Sequence, residues 1–281
     1  MNHFFTNKLM ITKNKIEIIA GELTKYTCQL FIDKEGKKEY FQPFGSGVLF
    51  THNNNYYLLS CAHVLLDDKQ SLPYILKSKN EISTIGGEYL TSGLPESNKR
   101  KDDKYDFSIV KLNGETIENF INSGHKFLDE SFVLTGYEPK EKDLAMCIGY
   151  PASRTKVNVQ QKTISSKGLK YISRFLKYDL SKDGFDSRIH LLVKYSINNF
   201  FNSFSKTVSR GPKPAGLSGG GLWSIFINKK EMVSIKLVGI LTEYSENHSV
   251  LISTRIDLLI DCIKQNFDPT LVNNGIKVTI T

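Results

Sequence analysis

The sequence predicts an all-β protein. Short runs rich in β-branched and aromatic residues recur along most of its length, polar turn residues separate them, and two of those turns have hairpin chemistry. Many short strands joined in this way build a sandwich or a barrel. At 281 residues the chain is long enough for one double-barrel unit or two small domains with a sizeable core.

In chain order, strands are expected at Tyr26–Ile32, Gly47–Phe50, Tyr56–Ser60, Phe107–Leu112, Leu144–Gly149, Ile189–Tyr195, Gly221–Ile227 and Lys236–Leu241. Lys34-Glu-Gly-Lys37 lies between Phe31-Ile32 and Tyr40-Phe41, and His52-Asn-Asn-Asn55 lies between Val48–Phe50 and Tyr56–Leu59. Asn and Gly at such tips supply the positive φ that tight hairpins need. Helix is expected near the C-terminus, about 253–267, where Ser253-Thr254 can cap a segment with Ile256, Leu259, Ile260 and Ile263 on one face. A second helix is expected at Thr116–Ile121, and 91–104 and 179–187 read as long loops. The stretch 152–213 mixes strand-like and helix-like pieces in no evident order.

Composition narrows the function. There are 37 Lys+Arg against 29 Asp+Glu, a net +8, with 40% hydrophobic and 23% charged residues, which is globular rather than disordered. No uncharged apolar run approaches the ~18 residues of a membrane span, and Lys8, Lys13 and Lys15 break up the N-terminal region, so neither a transmembrane helix nor a signal peptide is expected. Cys28, Cys61, Cys147 and Cys262 are dispersed without CxxC spacing, which predicts free thiols and a cytoplasmic location. The densest basic run, Asn98–Lys104, is half neutralised by Asp102 and Asp103, so nucleic-acid binding has only net charge behind it. His52 sits at a hairpin tip, and His3, His125, His190 and His248 are scattered without ligand spacing, so no metal is expected.

The chemistry is concentrated in three places: Ala62-His63 after a strand, Asp106 at the head of another, and Gly216-Leu-Ser-Gly-Gly-Gly221. A serine hydroxyl needs a base within hydrogen-bond reach, and that base needs an acid to fix its tautomer and stabilise the imidazolium. Glycines around Ser218 let backbone N–H groups converge on a developing oxyanion, although a glycine-rich turn alone is equally the mark of a flexible hairpin. No Lys-Ser or Lys-Thr follows, which excludes a phosphate loop. A strand-like run, Leu222–Ile227, follows instead of a helix, which excludes a hydrolase elbow. Asp67, Asp68, Asp102 and Asp103 are rival acids, but only Asp106 opens an apolar strand.

Taken together, Gly45-Ser-Gly-Val-Leu-Phe50, Tyr57-Leu-Leu-Ser-Cys-Ala-His-Val64, Tyr105-Asp-Phe-Ser-Ile-Val-Lys-Leu112, Ile148-Gly-Tyr-Pro151, Gly216–Gly221 and Leu237-Val-Gly-Ile240 resemble the ordered landmarks of trypsin-like (chymotrypsin-fold) serine peptidases, in particular the bacterial branch without disulfides. The resemblance covers about 44–256. It implies two antiparallel six-stranded β-barrels with a C-terminal helix, a first region over 1–132 and a second over 133–281 with an insertion at about 152–213. It also implies His63 as general base, Asp106 as its orienting acid, Ser218 as nucleophile, and the N–H groups of Gly216 and Ser218 as oxyanion hole. Pro212, six residues before the serine, would stand at the base of the specificity pocket, with Thr242, Glu243 and Tyr244 along the substrate backbone. Pro212 carries no charge to attract Lys or Arg. Glu243 could favour a basic residue or be a solvent-facing strand end. Gly221 replaces the family's usual proline, which should loosen the turn. Cys61 is expected as a buried thiol pointing away from the cleft, and Trp223 as barrel core.

The function expected is a serine endopeptidase acting on a protein or peptide substrate, without cofactor, gated by a regulatory protein partner, a misformed oxyanion hole or a narrow substrate range. The glycine triplet 219–221 and the segment 152–213 are the candidate moving parts. The alternative is a non-catalytic peptide- or protein-binding sensor module on the same fold.

Overall fold

The computed structural model describes residues 14–33, 41–66, 73–78, 81–140, 143–158, 163–177, 185–198, 200–202 and 207–275. The turn at Lys34–Lys37, Asp67, Asp68, His3 and most of 179–187 lie outside them. After a helix over 14–23 (α1), the first sheet is built from β1 (Thr27–Asp33), β2 (Phe41–His52), β3 (Asn55–Ser60), β4 (Tyr74–Leu76), β5 (Ile82–Thr84), β6 (Gly87–Thr91) and β7 (Ser108–Leu112), in the order β5-β4-β1-β2-β3-β7-β6.

This sheet has seven named strands but six staves. Only Ile85 and Gly86 separate β5 from β6, yet β5 pairs with β4 at one margin and β6 with β7 at the other. One bent strand therefore serves both margins and curls the sheet into a barrel. The bend needs glycine, because a Cβ on Gly86 would meet the Asn113 side chain and one on Gly87 would overlap the Lys111 carbonyl. Asn113 in turn caps α3 (Gly114–Asn122) by accepting from Thr116 N, so the corner and the helix start are packed as one unit. The β2–β3 hairpin turns through Asn53 and Asn54, both at positive φ (47° and 62°), as its Asn-rich tip requires.

The second sheet closes on itself. β8 (Leu144–Gly149) is followed by β9 (Thr155–Asn158), β10 (Thr163–Ser166), β11 (Leu169–Leu176), β12 (His190–Lys194), β13 (Phe200–Asn202), β14 (Thr207–Ser209), β15 (Gly221–Ile227), β16 (Val233–Ser245) and β17 (Val250–Arg255). The ring runs β11-β12-β17-β16-β15-β8. The segment 152–213 thus supplies two staves, β11 and β12, while β9–β10 and β13–β14 form separate two-stranded sheets.

Period-two patterning divides the apolar residues between two interiors. Ala145 and Cys147 of β8 face into the second barrel with Leu191, Val193, Leu222 and Leu251. Met146 and Ile148 of the same strand face the other way and join Trp223, Ile225 and the interior of the first barrel in one continuous core. Trp223 is fully buried there.

A short helix, α2 (Ala62–Leu65), follows β3, and α4 (Ile256–Asn266) follows β17. The helix is where the sequence places it, but its caps are not Ser253 and Thr254. Both remain in β17, with Ser253 Oγ donating to Leu191 O at 3.3 Å and Thr254 Oγ1 to Tyr105 O at 2.6 Å, and the helix starts at Arg255 without a side-chain cap. All four cysteines are free and buried. Among the described residues no helix is long and apolar enough to cross a membrane.

Candidate active site

His63 is carried by α2, a single turn nucleated where Cys61 O accepts from Val64 N (3.2 Å) and Leu65 N (3.1 Å). Asp106 sits two residues before β7 with φ +38°, in the left-handed region that few non-glycine residues occupy. Both of its carboxylate oxygens are engaged by one residue: Oδ2 lies 2.6 Å from His63 Nδ1, and Oδ1 accepts from His63 N at 3.0 Å. An ionised carboxylate only accepts, so the imidazole carries its proton on Nδ1 and keeps the Nε2 lone pair. The His63 side chain is 34% exposed and that of Asp106 11%, so the base reaches solvent while the acid does not. Two of the rival acids are committed elsewhere, Asp102 accepting from Ser97 Oγ (2.7 Å) and Asp103 from Arg100 (3.2 Å).

The serine loop is set by glycines and by carbonyls turned away. Gly216 has φ +92° and Gly219 φ +85°. A Cβ on Gly216 would lie 2.7 Å from both Ala152 N and Tyr150 O, and one on Gly219 would overlap Ser46 O. Ala215 O accepts from Ala152 N and Leu217 O from Gly220 N, each at 2.8 Å. In a trans peptide the N–H points opposite the C=O, so the Gly216 and Ser218 amides face away from those tied carbonyls. Among the described residues neither amide has an intramolecular acceptor. Ser218 Oγ donates to Thr242 O at 2.8 Å.

Gly221 does not loosen this turn. It opens β15, where a Cβ would stand 2.5 Å from Trp223 Nε1, and the chain around it is fixed by Gly219 N to Leu241 O and Leu241 N to Gly220 O, both 2.7 Å. The glycine allows close packing with the indole.

Sequence reasoning missed Ser46. This fully buried residue of β2 donates its hydroxyl to Gly216 O (2.8 Å), accepts there from Tyr150 N (2.8 Å), and donates its own N–H to Ser218 O (2.7 Å). Ser60 Oγ holds its carbonyl at 2.7 Å. The first barrel thereby fixes the loop of the second. The Gly-Ser-Gly spelling at 45–47 was the only signal available.

His63, Asp106 and Ser218 line one cavity of about 820 Å³, with Thr242, Glu243 and Tyr244 on its wall. Pro212 is not part of that wall, and its carbonyl accepts from the buried Tyr195 hydroxyl at 2.7 Å. Glu243 has its carboxyl pushed up from the ordinary value, first by partial desolvation and then by the charge of Asp106, with His63 acting against the shift. Cys61 packs behind the His–Asp pair, its sulfur donating to Leu241 O at 3.0 Å and its thiol held well above the usual range by burial. Cys61, His63 and Asp106 place their ligand atoms within 4.8 Å of one another. That grouping suits an ion poorly, because the thiol stays protonated and His63 Nδ1 is already engaged by Asp106.

No protein-family model matches the chain, and no curated protein matches it by sequence. Among solved structures, the chain is similar to the scabies mite inactivated protease paralogue S-I1, with 12% identity, 87% of this chain and 96% of that one covered, and a TM-score of 0.52. It is also similar to the thermostable serine protease AL20 from an extremophilic microorganism, with 13% identity over 91% of this chain and 100% of that one, at a TM-score of 0.46. At 12% identity the first likeness speaks for the backbone alone. On the backbone it agrees with a curled barrel joined to a closed one across a cleft: this chain has the trypsin-like, chymotrypsin fold.

Proposed function

We propose that the protein is a serine endopeptidase. The observation that carries this reading is the two-point grip of Asp106 on His63, in one cavity with Ser218, together with Gly216 and Ser218 amides that have no intramolecular acceptor among the described residues. His63 Nε2 takes the Ser218 proton as Oγ attacks a peptide carbonyl, and Asp106 stabilises the imidazolium. The Gly216 and Ser218 N–H groups receive the oxyanion. The imidazolium then protonates the leaving amine, and water activated by the same base hydrolyses the acyl-enzyme. No cofactor enters these steps.

Residues 1–132 are assigned to the half bearing His63 and Asp106 and 133–281 to the half bearing Ser218. Thr242, Glu243 and Tyr244 are assigned to substrate contact, since they line the cleft, whereas Pro212 has no such support. Four unpaired buried thiols fit a reducing, cytoplasmic setting. The tied carbonyls of Ala215 and Leu217 favour gating by substrate range or by a protein partner over gating by a misformed oxyanion hole.

A second reading, a non-catalytic binding module, is favoured by the Ser218 hydroxyl donating to Thr242 O, and by the similarity to a protein described as an inactivated protease paralogue. Fluorophosphonate labelling read by peptide mapping separates the two. A peptidase labels at Ser218 and loses the label in Ser218→Ala and His63→Ala. Absence of labelling in wild type, with and without candidate partner proteins, overturns the enzyme reading.

A further inference from the structure

The turn that delivers Asp106 is strained. A non-glycine residue at φ +38° stands in a sparsely populated region and persists only where its surroundings over-determine it. The first barrel restrains one side of the turn: Tyr105 N donates to Asp103 Oδ1 at 3.0 Å, and Phe107 N to Ser92 Oγ at 3.2 Å. The second barrel restrains the other.

His190 on β12 and Thr254 on β17 are direct cross-strand partners, and each reaches out of the second barrel to one of two successive carbonyls of the turn. Thr254 Oγ1 donates to Tyr105 O at 2.6 Å, and His190 Nε2 lies 2.7 Å from Lys104 O. Asp186 N–H donates to His190 Nδ1 at 3.1 Å, so Nδ1 is the acceptor and Nε2 carries the proton given to Lys104 O. The Asp186 carboxylate, the Lys104 ammonium and the Phe185 ring, 5.7 Å away, surround this imidazole. Thr254 is fully buried and His190 is 7% exposed, while the acceptor residues are more open, and His190 and Lys104 also line the cavity that holds His63 and Ser218.

We infer that His190 and Thr254 are positioning residues: they grip the two carbonyls before Asp106 and keep its carboxylate on His63. The catalytic meaning of this clamp rests on the peptidase reading, but its effect on His63 is measurable without turnover. The sensitive quantity is the His63 titration midpoint, because a carboxylate held against Nδ1 favours the imidazolium.

The test is an NMR titration of His63 in wild type, Thr254→Val, His190→Leu, Thr254→Ser and His190→Gln, with Asp106→Asn as reference. Thermal unfolding and Ser218 labelling rates are recorded beside it. Thr254→Val and His190→Leu are expected to lower the His63 midpoint by about one pH unit and to slow labelling roughly tenfold. Thr254→Ser and His190→Gln, which keep a donor, are expected to retain both. Should Thr254→Val fail to fold, the His190→Leu and His190→Gln pair makes the same comparison. Folded variants that melt earlier but titrate like wild type would reduce the clamp to packing and overturn it. If wild type never labels, the peptidase reading fails while the midpoints still decide the clamp. If it labels and the midpoints do not move, the clamp fails alone.

Discussion

The first barrel brings side chains to the cleft, His63 on a one-turn helix and Asp106 on a strained turn, whereas the second brings a loop whose useful groups are two amides and one hydroxyl. Each half is braced from the opposite barrel. Ser46 of the first barrel ties down the loop around Ser218, and His190 and Thr254 of the second hold the turn before Asp106. Neither half is therefore fully shaped by its own barrel, and docking the two barrels becomes part of assembling the site.

Perturbing one side at a time sharpens the contrast. The largest effect is expected on the side-chain half. Asp106→Asn, which leaves His63 in the wrong tautomer, should slow Ser218 labelling by about 10⁴-fold with little change in melting temperature. An unchanged rate would remove Asp106 from the site.

The backbone half should fail differently. Gly219→Ala drives a Cβ into Ser46 O at φ +85° and should cost about 3–4 kcal/mol in chemical denaturation, taking labelling with it. A variant of normal stability would mean that the loop has room the packing denies.

Smaller still is Ser46→Ala, which unpairs Gly216 O and Tyr150 N in a buried position. A loss of about 2 kcal/mol is expected, together with a labelling rate that falls more than that of a neutral core variant of equal stability.

The smallest effect concerns Glu243. Its folded carboxyl titrates above its unfolded value, so folding favours the protonated form: that contribution is full below the unfolded value and is lost as pH rises through the folded one. Glu243→Gln should therefore stabilise relative to wild type at neutral pH, within about 0.5 kcal/mol given solvent screening, and the difference should vanish below the carboxylate range. Melting curves at neutral and acid pH read the sign.

The same contrast explains what could be read from sequence. Leu144–Gly149 and Gly221–Ile227 are strands with the bounds their patterns predict, and His63, Asp106 and Ser218, which share one cavity, could be singled out because the motifs around them are spelled locally. The braces were not, because their partners lie far away in sequence: Ser46 and Gly216 are 170 residues apart, His190 and Lys104 86, and Thr254 and Tyr105 149. Thr254 was legible as a helix cap for the same reason, since a hydroxyl just before an amphipathic run looks alike whether it serves its own helix or a distant carbonyl. The bent strand at 82–91 was lost because Gly86-Gly87 and the polar residues around it break the period-two pattern.

That bend has a meaning beyond architecture. A straight strand there would leave one margin of the first sheet with a row of unpaired amides and carbonyls, a template on which another chain could polymerise. By pairing with β4 through one half and β7 through the other, the strand at 82–91 covers the edges those two strands would otherwise expose, so that only its own short halves, β5 and β6, end the sheet.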